Sequence, residues 1–173
     1  ITYINPYLTD SFGVSVAFAT GFAFTIRLGM LMIMSPVGGY IRDRVLGGRA
    51  TPIALIGASG AMLFAIVLAL IPLTVGLSIV VMSIAAVVMM FTSFTSTCLY
   101  TPVSEGKISI AMTGTVMGVA SAIGYSTDIW LYSLCGSWLD KYGNDGYTNI
   151  WYFTACGGAL MIVMALLLNR HYK

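Results

Sequence analysis

Long apolar runs separated by short polar clusters make up this chain. From Ala50 to Ser104 there is no charged residue at all. One helix needs about 20 apolar residues to cross a bilayer core, so this stretch holds two spans, divided by a turn at Pro72–Gly76. The apolar positions do not alternate with a period of two, which argues against a membrane β-barrel. Helices satisfy their own backbone polar groups in lipid, and the pattern predicts five of them, at about 14–41, 51–71, 77–100, 108–139 and 148–169. The first is expected to be interrupted at Arg27 and at Pro36. Turn chemistry falls at Pro102 and in YGNDGY, residues 142–147. The expected fold class is an all-α membrane protein without an independent soluble domain.

Composition sharpens this. Charged residues are 8% of the 173, against about 25% in soluble domains. A net charge of +2, with the basic residues scattered among short loops, gives no nucleic-acid surface. Cys98, Cys135 and Cys156 are odd in number and lie inside apolar runs. They read as small buried hydrophobes, so neither a disulfide, a metal nor a cofactor is expected. An enzyme would need convergent nucleophiles, acids or metal ligands, and the spans offer no such cluster.

Charge also orients the chain. Five spans place Arg42, Arg44, Arg49, Lys107, Arg170 and Lys173 on one side and only Lys141 on the other. Basic loop residues stay in the cytoplasm, which predicts an inner-membrane protein with a cytoplasmic C-terminus. The opening ITYINPYLTDSFG lacks the basic start of a signal peptide. A first residue other than Met suggests a piece of something longer.

The loop GGYIRDRVLGGR, residues 38–49, concentrates three arginines and an aspartate between glycines. Its Gly39, Asp43, Arg44 and Arg49 resemble the signature loop of the major facilitator superfamily, with a longer spacer before the second glycines. The run GTVMGVASAIGYSTDIWLYSLCGSWLDKYG, residues 114–143, is similar to the eleventh helix of such carriers. The resemblance implies that the five spans are helices eight to twelve, most of the C-terminal half of a carrier. ITYINPYLTDSFG would then be the outer end of helix seven, and the 38–49 loop a cytoplasmic gate.

Two charges fall inside spans, Arg27 and Asp128, at similar depth. Intramembrane charges are costly and functional by default. Two readings stay open: separate sites for solute and proton, or a fixed Arg27–Asp128 salt bridge. Gly114, Ser121, Tyr125 and Asp128 share one helical face, and Tyr125 sits one turn from Asp128. Gly114 and Gly118 form a GxxxG pair suited to close helix packing. In FTSFTST, residues 91–97, Ser96 and its neighbours either line a polar wall or bond back to their own helix.

The functional expectation is a secondary active transporter that moves a small polar or anionic solute by alternating access, driven by protons. Its partners would be the lipid bilayer, the solute and the missing N-terminal half. The competing expectation is a structural or channel subunit complete at five spans.

Overall fold

The computed structural model describes residues 2–72, 74–101, 103 and 109–171. Pro102, Lys107, Lys173 and the expected start of the fourth span at 108 lie outside them. Among the described residues these α-helices follow one another: α1 (Ile4–Phe12), α2 (Val16–Tyr40), α3 (Thr51–Leu70), α4 (Ser78–Ser96), α5 (Ile110–Tyr142) and α6 (Gly146–His171). No strand occurs among the described residues. α2 with the π-helical turn Ile41–Val45, α3, and α4 are each long and apolar enough to cross a membrane. So is Ala111–Arg170, which turns back at Gly143–Asp145 and supplies two crossings.

α2 was expected to break at Arg27 and Pro36, and it does not. The helix runs unbroken through both to Tyr40. Proline removes one ladder bond, and membrane helices tolerate that when neighbours re-satisfy the freed carbonyl. The third span ends earlier than expected. Beyond Ser96 the amides of Thr97, Cys98 and Leu99 bond the carbonyls three residues back, at 3.3, 3.1 and 3.3 Å. Such i to i−3 bonds tighten the last turn of a helix.

The core centres on α3, which packs chiefly against α6 and α4. Its buried face is Gly57, Ala58, Ala61, Ala65, Leu68 and Ala69, the three-to-four spacing of one helical stripe. Small residues let backbones approach, and the structure uses them so. A methyl group on Gly57 would collide with the Thr95 side chain of α4. One on Gly158 of α6 would lie 2.9 Å from Met62 Cβ and 3.3 Å from the Ala58 carbonyl of α3. One on Gly38 of α2 would lie 2.6 Å from Thr97 Oγ1. Gly114 and Gly118 do not play this part, because a methyl on either meets nothing within 4 Å.

α1 closes one end of the bundle. Gly13, at φ 66°, adopts the left-handed conformation that ends the helix. The Tyr7 ring packs edge-on against Phe12 and Trp151, with centroids 5.2 and 5.4 Å apart. Tyr147 Oη donates to Asp10 Oδ2 at 2.6 Å, and Asn144 Nδ2 to the Asp10 carbonyl at 3.0 Å. Tyr3 Oη donates to the Tyr132 carbonyl of α5 at 3.1 Å. Trp130 and Trp138 both set their rings against Phe153 and so join α5 to α6. Cys98 and Cys135 are buried as expected, but Cys156 is exposed on α6, away from the core.

Candidate functional site

α2, α5 and α6 carry most of the exposed large hydrophobic side chains, and among the described residues of α5 only Cys135 is buried. Between α5 and the turn that follows α4 lies a cavity of about 350 Å³. Leu99, Tyr100 and Val103 form one wall, and Ser121, Tyr125 and Asp128 line the α5 side. Tyr100 Oη and Ser121 Oγ are 2.8 Å apart and satisfy each other. That leaves the Tyr125 hydroxyl and the Asp128 carboxylate as the lining side-chain polar groups with no hydrogen bond or ion pair among the described residues. Their spacing of three residues, about one turn, presents both on the same strip of α5.

The cavity gathers only some of the residues marked in the sequence. Tyr125 and Asp128 come together, and Ser121 joins them. Arg27 does not line the cavity: it is exposed on α2 and forms no ion pair with Asp128. The fixed salt bridge between them is therefore absent. Ser96 is not in the cavity either, and its hydroxyl donates to the Thr92 carbonyl at 2.9 Å. Thr92, Thr95 and Thr97 likewise bond carbonyls of their own helix. The Thr92, Thr95, Ser96 and Thr97 hydroxyls thus bond back to their own segment, while Ser96 stays exposed. Leu99, Tyr100 and Val103 carried no sequence signal beyond lying next to Pro102. An aromatic residue placed just past a helix end is the one clue that pointed to them.

At the same end of the bundle, the charged loop is ordered by its glycines. Gly47 and Gly48 take φ values of 62° and 80°, and the Gly48 amide bonds the Arg42 carbonyl at 2.8 Å. Leu46 and Ile41 pack beside the buried Ala50, Ile53, Phe94 and Cys98. Arg42 Nε donates to Asp43 Oδ1 at 2.7 Å, and Arg42 Nη1 to Thr101 Oγ1 at 3.2 Å. Arg44 and Arg49 are exposed, and Gly39 faces open space. Arg42, which the signature pattern left unassigned, is the residue that ties the loop to the neighbouring helix.

Comparison with known proteins places the chain among inner-membrane proteins. It is 25% identical over 176 residues to "Inner membrane protein YqcE" of Escherichia coli (strain K12), a match that takes in 100% of this chain and 41% of that protein. It is 28% identical over 173 residues to "Inner membrane protein YihN" of the same organism, covering 95% of this chain and 40% of that protein. The chain thus spans well under half the length of these relatives. No family model matches it. No solved structure matches it either. Relatives and helices together support a multi-pass inner-membrane protein.

Proposed function

We propose that the chain is the C-terminal half of a secondary active transporter of the major facilitator type. It carries a small organic solute across the inner membrane by alternating access. The observation that carries this reading is the Asp128 carboxylate, without an ion pair among the described residues and lining a cavity between α5 and the turn that follows α4. Ionised groups at such depth cost about 2.5–3.5 kcal/mol to insert and mark solute or proton paths. The exposed faces of α2 and α5 are where an opposing half would complete the path, as in carriers whose two halves rock about a midplane site. The length of the relatives leaves room for such a half.

In this reading the 38–49 loop lies on the cytoplasmic side with the C-terminus, as the distribution of arginines favours. Asp128 exchanges a proton as the cavity opens to each side in turn. Reconstitution of the full-length gene product into vesicles tests this. Uptake should require a proton gradient and should lose that dependence in Asp128→Asn. Uptake that equilibrates at the same rate with and without the gradient would contradict it.

A further inference from the structure

The cavity between α5 and the turn that follows α4 has a chemical character that the sequence concealed. Its walls are largely apolar, from Leu99, Val103 and the flanks of the two tyrosine rings. The Tyr100 and Ser121 hydroxyls share one hydrogen bond, and the lining side-chain groups with no bond among the described residues are a phenol and a carboxylate. No lysine or arginine is among the described lining residues, and Arg27 of α2 stands outside the cavity. An anionic solute placed there would face Asp128 with like charge and with no compensating donor of positive charge among the described residues.

We infer that this cavity takes an organic amine, with its ammonium on Asp128 and its apolar body between Leu99 and Val103. This deepens the transporter reading and rests on it in one respect, that the cavity is the solute site. Three observations converge on this ligand class. The carboxylate is exposed on α5 and has no ion pair among the described residues, so it is open to a charge-assisted bond from a cation. Two aromatic residues, Tyr100 and Tyr125, line the same cavity, and ring faces attract cations within about 6 Å of their centroids. A volume of about 350 Å³ with few polar groups suits a small apolar body held by one or two polar contacts. The preference for an anionic solute raised by Arg27 does not extend to this cavity.

The test uses three probes of nearly equal shape: 2-phenylethylamine, 2-phenylethanol and phenylacetate. Equilibrium binding of each is measured to the full-length protein in lipid nanodiscs. The amine should bind at least about ten-fold more tightly than the alcohol and the acid. Asp128→Asn should abolish that preference, while Asp128→Glu, which keeps the charge, should retain it. The inference is overturned if the acid or the alcohol binds as well as the amine. It is equally overturned if none binds, or if Asp128→Asn, verified as folded, keeps the preference. Uptake of a bound probe into vesicles is scored separately. Amine binding without uptake counts against the transporter reading alone, and gradient-driven uptake of the acid in preference to the amine counts against the ligand class alone.

Discussion

Arg42 Nη1 lies 3.2 Å from Thr101 Oγ1, so the charged loop after α2 is fastened to the segment that follows α4. The very next residue back, Tyr100, bonds Ser121 of α5 at 2.8 Å. Two adjacent residues therefore connect the loop on one side and the cavity wall on the other. Hydrogen bonds to charged groups contribute about 1.5–3 kcal/mol when well shielded, and the Arg42 side chain is only 28% exposed. Thr101→Val should lower stability in mild detergent by about 1 kcal/mol, read from equilibrium unfolding. Thr101→Ser, which keeps the acceptor, should match the parent.

The glycines divide into two sets with opposite expectations. Gly57 sits where α3 meets Thr95 of α4, so Gly57→Val overpacks that crossing and should cost about 1–3 kcal/mol. Gly114 meets nothing within 4 Å. In the 173-residue chain, Gly114→Ala should be neutral or stabilising by up to about 1 kcal/mol. Folded yield and thermal midpoint in detergent measure both.

Tyr147, almost fully buried, donates a hydrogen bond from its hydroxyl to the exposed Asp10 carboxylate at 2.6 Å. Losing this bond should free α1 more than it unfolds the bundle. Tyr147→Phe should therefore raise amide hydrogen exchange over residues 4–12 several-fold, with little change in α3 or α4. Asp10→Asn should do the same more weakly, since an amide oxygen still accepts.

Arg27 and Asp128 do not pair with each other. A double-mutant cycle on Arg27→Gln and Asp128→Asn should accordingly give coupling within about 0.5 kcal/mol of zero, the value for independent sites. Measured coupling of 1 kcal/mol or more would restore the salt bridge between them.

The helical architecture was legible because lipid imposes one rule, a run of apolar residues per crossing, and the five expected spans lie within a few residues of α2 to α6. Pro36 misled because, in a membrane, a proline deletes a bond without ending the helix. Ser96 and the GxxxG pair stay ambiguous in the sequence for a different reason. A hydroxyl or a glycine has the same sequence signature whether it faces a partner, its own backbone or open space, and only packing decides. Asp128 and Tyr125 were legible from charge and helical period. Tyr100 was not, because its place across from Ser121 depends on how the chain turns after α4.

Alternating access itself is open to one direct measurement. Tyr125→Cys, in a full-length protein whose Cys98, Cys135 and Cys156 are replaced by alanine, puts a thiol on the cavity wall. Membrane-impermeant thiol reagents are then applied from either face of sealed vesicles. The transporter account predicts labelling from both faces, with the balance shifting between them when a proton gradient is imposed or reversed. Labelling from a single face under every condition, or equal labelling from both that no gradient alters, would contradict it.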